Sequence, residues 1–238
     1  MGIPFPCQIP SPSNSIWGAG PARARPRPHE RIAQVTPSAP DTPAFGEALP
    51  IEASPSVLSF LARRRSASAL TLRAPGPSES QLRRLLQLAA RAPDHGKLSP
   101  WRFVILRGAG KRAFVKSLEA IAEGRPNAVK ATAKLGKIRT PPLTVAVVSR
   151  YTPGEIPEWE QRLSAGAACM LLAIAAQAMG YGANWITDWY AYDPAATRLL
   201  GLGEGEKVAG FVHVGTPAEA PLERARPDVG AITTVWKG

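Results

Sequence analysis

The stretch from residue 165 to 176 constrains this chain most: twelve nearly unbroken apolar positions between Arg162 and Gln177, inside a helical pattern running from 158 to 179. A helix apolar on every side needs cover all round, from a large core or from another subunit. Twelve residues fall well short of the roughly 20 that span a bilayer. The helix is therefore expected inside protein. With 238 residues, 45% apolar and 20% charged, the chain can build one large core around it.

The flanking pattern places that helix in a layered α+β domain. Ser54, then Pro55 at a first helical position, precedes Val57, Leu58 and Leu61, a helix that ends in Arg63, Arg64 and Arg65. Ser78 and Gln81 have capping-box spacing before the stripe Leu82, Leu85, Leu86, Ala89 and Ala90. Residues 101–106 (WRFVIL) read as a strand, and 111–123 and 127–137 as two helices carrying a solvent-facing basic surface. Residues 143–149 (LTVAVVS) are β-branched and small, as in a strand buried on both faces at the middle of a sheet. Gly180 and Gly182 end the long helix; 183–187, 210–215 and 233–236 read as strands, and Asp193, Pro194 and Gly201 bracket a short helix. Strands interleaved with helices predict a central mixed sheet covered on both sides.

Residues 1–50 hold 11 of the 25 prolines and no periodicity, so they are expected as a disordered tail before a domain over 51–238. No apolar run follows a basic start, as a secretory signal requires. Cys7 and Cys169 make neither a disulfide framework nor a metal cluster, which points to a reducing, cytoplasmic setting. Twenty-nine Lys and Arg against 18 Asp and Glu give a charge of +11, compatible with a polyanion, an anionic cofactor or a solvated surface.

The common catalytic signatures are missing: no G-x-G-x-x-G after a strand, no Walker loop, no G-x-S-x-G, no H-E-x-x-H, no C-x-x-C. Of three histidines, His29 is in the tail, His95 in a loop and His213 in a strand, so no metal site is expected. Two clusters remain. Arg64, Arg65, Ser66 and Ser68 offer guanidinium forks and hydroxyls suited to a phosphate, or else to a helix C-terminus in solvent. Residues 91–101 (RAPDHGKLSPW) form a polar loop pinned by two prolines, a candidate ligand wall.

Four segments in order, 61–66 (LARRRS), 91–101, 159–166 (WEQRLSAG) and 210–217 (GFVHVGTP), resemble the FMN-dependent nitroreductases, most closely a small, minimal branch. The resemblance covers about residues 54–220. It implies an obligate homodimer with FMN at the interface and NADH or NADPH as co-substrate. It places flavin contacts on Arg64, Arg65 and Ser66 from one chain, on Arg91 and His95 from the other, and on Trp185, Ile186 and Thr187. Ile186 stands where that branch has arginine, with Lys97 as a candidate substitute. Nicotinamide contacts fall on Ala175, Ala176, Gln177, Ala178, Met179 and Gly180. The implied chemistry is ping-pong hydride transfer to a nitro, quinone or similar acceptor, with no catalytic side-chain pair, because the flavin does the chemistry.

Two other readings stand beside it. A basic nucleic-acid-binding module would use Lys111, Arg112, Lys116, Arg125, Lys130, Lys134, Lys137 and Arg139, although only Phe114 offers a stacking ring there. A flavin-consuming member of the same superfamily would keep the fold and change the task.

Overall fold

The computed structural model describes residues 42–238; the part of the expected tail before position 42, with Cys7 and His29, lies outside them. Helix α1 (Pro55–Arg63) has proline in its first turn as expected, but the Ser54 side chain makes no cap bond and pairs with Ser56. The helix stops at Arg63, which leaves Arg64 and Arg65 in extended chain beyond its end. No residue of α1 is buried: Val57, Leu58 and Leu61 are 51%, 69% and 45% exposed. Helix α2 (Glu79–Ala89) closes the expected capping box, Ser78 Oγ accepting the Gln81 N–H at 3.3 Å and Gln81 Oε1 accepting the Ser78 N–H at 2.8 Å.

Five strands form the sheet: β1 (Leu72–Arg73), β2 (Trp101–Arg107), β3 (Leu143–Arg150), β4 (Gly182–Ile186) and β5 (Glu206–Pro217). β5 lies between β3 and β4, β2 pairs with β3, and short β1 joins the end of β5. Every pairing among the described residues is antiparallel, which corrects the expected mixed sheet. The register gives the reason: Arg107 pairs with Leu143, so the helices between β2 and β3 return the chain to the end of the sheet it left, as a long hairpin connection does. A parallel pairing needs a crossover to the opposite end of the strands. The strand expected over 233–236 is also corrected: the chain there is irregular beyond a 3-10 turn at Gly230–Ile232, meets no sheet edge, and leaves Val235 and Trp236 exposed.

On one face of the sheet lie α2 and α6 (Glu158–Ala178), closing a core with Val145, Val147, Val212 and Val214. On the other lie α3 (Gly108–Glu123), α4 (Ala128–Lys134), α5 (Gly136–Arg139) and α7 (Pro194–Arg198), around Phe211, Tyr190 and Leu118. The helix expected over 127–137 is two helices, broken at Leu135. Residues 143–149 are buried throughout, as read from their composition. Helix α6 ends in a Schellman motif: Gly180 takes φ +83°, its N–H bonds Gln177 O at 3.0 Å, and the Tyr181 N–H bonds Ala176 O at 2.9 Å.

The core takes only part of α6. Trp159 and Leu163 are 67% and 53% exposed, and Gly166, Met170 and Ile174 continue that line half-buried. These positions recur at spacings of three and four, one continuous apolar stripe facing away from the sheet.

Candidate functional site

At the C-terminal end of α6 lies a cavity of about 410 Å³ lined by Phe60, Arg63, Arg64, Arg65, Gln177 and Tyr181, among others. A second, of about 520 Å³, shares Arg65, Ala67 and Pro221 with it and adds Ser66, Ser68 and Asn184. Both lie within the roughly 300–1,000 Å³ usual for small-ligand sites. Arg64 and Arg65 are half-buried there, and Arg64 reaches Ser66 Oγ at 3.5 Å. Gln177 Nε2 is buried without a hydrogen-bond partner, a donor with its desolvation cost unmet. Three guanidinium groups, two hydroxyls and that amide form a donor set suited to a phosphate and polar oxygens.

The C-terminal segment closes this end. Arg65 Nε donates to Leu222 O at 2.7 Å and lies 3.8 Å from Glu223, which Arg226 also contacts at 3.0 Å. Glu223 accepts the Arg224 backbone N–H and is flanked by Arg226 and Arg65, which together hold its carboxyl below the usual range.

His95 and Arg91 occupy the other end of α6. Asp94 accepts the Leu98 N–H at 3.0 Å and the Ser99 N–H at 2.8 Å, folding a turn in which Lys97 and Ser99 take φ +54° and +47°. Two non-glycine residues in the left-handed region within three positions mark a strained loop held by its surroundings. His95 Nδ1 lies 2.8 Å from Glu160 Oε2, Ser164 Oγ donates to Pro93 O, and Trp101 Nε1 donates to Ser164 at 3.1 Å. Arg91 and Lys97 are exposed on the same loop.

Glu160 and Gln177 are 17 positions apart on one helix, so the two clusters are about 25 Å from each other at 1.5 Å per residue. One chain does not bring Arg64, Arg65 and Ser66 to His95 and Arg91.

Trp185 lies between them. Its indole, 39% exposed, covers Gly210, where a Cβ would overlap Nε1 and Cδ1, and its far edge approaches Gly166 of α6. Ile186 pairs with Phe211 and so shares the opposite face of the sheet from Trp185. Thr187 Oγ1 accepts from Tyr192 OH at 2.8 Å. Of the nicotinamide set, Ala175 and Ala176 are buried in the core, Met179 and Gly180 form the helix end, Ala178 is exposed, and Gln177 lines the arginine cavity.

The basic region on the outer face differs from its expectation. Lys111 is 5% exposed, Arg125 pairs with Asp193, Lys134 and Lys137 with Asp188, and Arg139 with Glu119. Burial pushes the Lys111 ammonium down to about 7. Its Nζ donates to Pro141 O and to Thr144 Oγ1, and Thr144 meets His213 Nδ1 at 2.9 Å. Burial, with Lys111 and Lys137 nearby, pushes His213 down to about 3. Burial raises the Cys169 thiol to about 12, which leaves it without nucleophilic character. Among the described residues no group of three metal-type side chains could hold an ion, and no helix is long and apolar enough to cross a membrane.

Residues 61–216 match the model of the nitroreductase family. The chain belongs to that family. The resemblance carried by the four sequence segments is thereby borne out. The chain is similar to the Escherichia coli K12 protein named Putative NAD(P)H nitroreductase YdjA, at 36% identity over 162 residues, 67% of this chain and 87% of that one. Among solved structures, the nitroreductase-like family protein of Bacillus cereus superposes with a TM-score of 0.69 at 22% identity, over 80% of this chain and 100% of that chain. A nitroreductase of Bacteroides fragilis with bound FMN gives 0.60 at 22% identity, over 76% and 100%. These two structures share the nitroreductase fold with this chain.

Sequence reading missed Glu160, Gln177's unpartnered amide and the closing segment at Leu222, Glu223 and Arg226. Glu160 stood in plain view inside the W-E-Q segment, but its pairing with His95 depends on a fold that brings residues 65 positions apart together.

Proposed function

We propose that this protein is an FMN-dependent NAD(P)H oxidoreductase that works as a homodimer, each site using the arginine end of one α6 and the His95 end of the other. The observation that carries this reading is the pair of donor clusters at opposite ends of one helix, beside an uncovered apolar stripe. Two copies packed stripe to stripe with α6 antiparallel would bring one cluster of each chain to the other's. The unburied face of α1 would be covered in the same assembly, whose two-fold interface uses the same patch on both chains. The bound FMN of the Bacteroides fragilis structure and the name of the Escherichia coli relative support the choice of cofactor and of donor.

In this site Arg64, Arg65 and Ser66 hold the phosphate, and the unpartnered Gln177 amide supplies a further donor. Trp185 forms an apolar wall that excludes water from the ring system. Arg91 of the second chain brings positive charge to the flavin's polar edge, where it stabilises added electrons, and His95 brings a ring nitrogen for hydrogen bonding. FMN, when bound, supplies hydride acceptance from NADH or NADPH and delivery to a nitro, quinone or similar acceptor. Gln177, Ala178, Met179 and Gly180 border the space for the nicotinamide, with Ala175 and Ala176 packed behind them in the core, and the second substrate uses the same space once the first has left, a ping-pong order. The protein acts in the cytoplasm, the domain spans 51–238, and residues 1–50 lie outside the catalytic unit.

The reading is tested by titrating the purified protein with FMN and adding NADH or NADPH without oxygen. Flavin bands that appear at one FMN per chain, bleach on adding NADH or NADPH and return with an acceptor over many turnovers support it. A protein that takes up no FMN contradicts it, and FMN consumed once per turnover places it among flavin-consuming relatives.

A further inference from the structure

The loop that carries His95 is fixed more firmly than a connection between α2 and β2 needs. Asp94 ties two backbone N–H groups, Arg150 Nε donates to Ser99 O at 3.1 Å, and Ser164 holds Pro93 O from the second turn of α6. Gln161, beside Glu160, fastens the next loop through Thr152 N–H at 2.9 Å, Thr152 O and Ile156 O. The backbone under His95 is thus set, with strain at Lys97 and Ser99, and the ring orientation is what remains to be chosen. Glu160, one helical turn before Ser164, makes that choice by meeting Nδ1 at 2.8 Å.

The pair does little for folding. Its side chains are 64% and 46% exposed, and ion pairs or hydrogen bonds so open to water contribute little stability. Its chemical consequence is more specific. A carboxylate only accepts hydrogen bonds, so Nδ1 must carry the proton, and in the neutral ring Nε2 is left with a lone pair. Among the described residues nothing bonds Nε2.

We propose that Glu160 is a positioning residue that fixes His95 as the Nδ1–H tautomer, so that Nε2 accepts a hydrogen bond from an N–H or O–H group of the flavin. The inference rests on the flavin reading above and names a residue which that reading does not require. Glu160 does not touch the cofactor; it acts through the ring.

Two readouts test it. In protein labelled with ¹⁵N-histidine, without flavin, the His95 ring nitrogens show Nδ1–H in the wild type and in Glu160→Gln, whose amide oxygen can still accept. They show a mixture in Glu160→Ala. FMN affinity, read from flavin fluorescence, falls about threefold to tenfold in Glu160→Ala and in His95→Ala, and no further in the double variant, as expected when one hydrogen bond is lost by two routes. Glu160→Gln restores most of the affinity, and unfolding midpoints stay unchanged throughout. Nε2–H in the wild type, or losses that add in the double variant while FMN still binds, overturns the inference and leaves the flavin reading standing. A wild-type protein that binds no FMN overturns both.

Discussion

Trp185 lies on Gly210 so closely that no larger residue fits beneath it. The two meet across β4 and β5 beside an irregularity where Val147 pairs with Gly210 but Val148 pairs with Val208, leaving Ala209 over as the extra residue of a bulge. The Ala209 carbonyl accepts from the indole at 3.4 Å. Bulges often re-aim side chains next to binding sites, and this one lies directly against the Trp185 indole.

Gly210→Ala therefore displaces Trp185. Overpacking of this kind costs about 1–3 kcal/mol, read as a lower midpoint in denaturant. The account further expects a shifted tryptophan emission and weaker FMN uptake, because the wall has moved. An unchanged emission spectrum would show that Trp185 does not depend on Gly210 for its place.

Replacing Arg64 and Arg65 together by alanine removes two charged donors from the cavity at the end of α6. At about 1.5–3 kcal/mol for hydrogen bonds to charged groups, FMN affinity falls by tenfold or more while far-UV circular dichroism is unchanged. Because Arg65 also holds Leu222 O, the same variant is cut faster by protease beyond residue 219. Full flavin occupancy in this variant would remove both arginines from the site.

Two buried groups on the outer face, His213 and Lys111, make stability depend on pH. His213 has its pKa pushed from 6.5 down to about 3, so the unfolded chain binds the extra proton between those values. The stability from neutral His213 is present above pH 6.5 and is lost as pH falls toward 3. Lys111, pushed from 10.5 down to about 7, acts on a higher window. Below pH 7 its buried ammonium carries the whole penalty, which is relieved as pH rises toward 10.5. Stability should rise with pH through both ranges, by a few kcal/mol in each as an order of magnitude. Lys111→Met should raise the neutral-pH unfolding midpoint and flatten the alkaline rise; a midpoint lowered at every pH would show that the ammonium is a net stabiliser.

Leu163→Glu places a charge in the exposed stripe of α6 and leaves the chain's own core untouched, since Leu163 is 53% exposed. If the proposed dimer forms through this stripe, sedimentation should show a monomer in place of the dimer expected of the wild type, with flavin lost alongside. A monomeric variant that keeps stoichiometric FMN would place the whole site within one chain.

Much of the fold was legible locally. Ser78 and Gln81 announce their capping box, residues 143–149 announce a central strand, and Gly180 announces the end of α6, since each depends on neighbours in sequence. Strand direction was not legible, because pairing of Arg107 with Leu143 is decided by how far the helices between them carry the chain. Arg112 and Lys116 beside it in sequence make Lys111 look solvent-facing, but Pro141 O and Thr144 come to it from 30 or more residues away. The site divided along the same line. The family resemblance proposed Arg64, Arg65, Ser66, Arg91 and His95 as flavin contacts, whereas their placement at opposite ends of α6, and Glu160 beside His95, depend on tertiary packing.

The most direct test of a site shared between chains is to form mixed dimers, one chain carrying Arg64→Ala with Arg65→Ala and the other Arg91→Ala with His95→Ala, and to measure bound FMN at a concentration where neither parent dimer holds it. The account predicts one FMN per mixed dimer: one site loses both clusters, and the other receives intact Arg64 and Arg65 from one chain and intact Arg91 and His95 from its partner. No recovery of binding in the mixed dimers would contradict it.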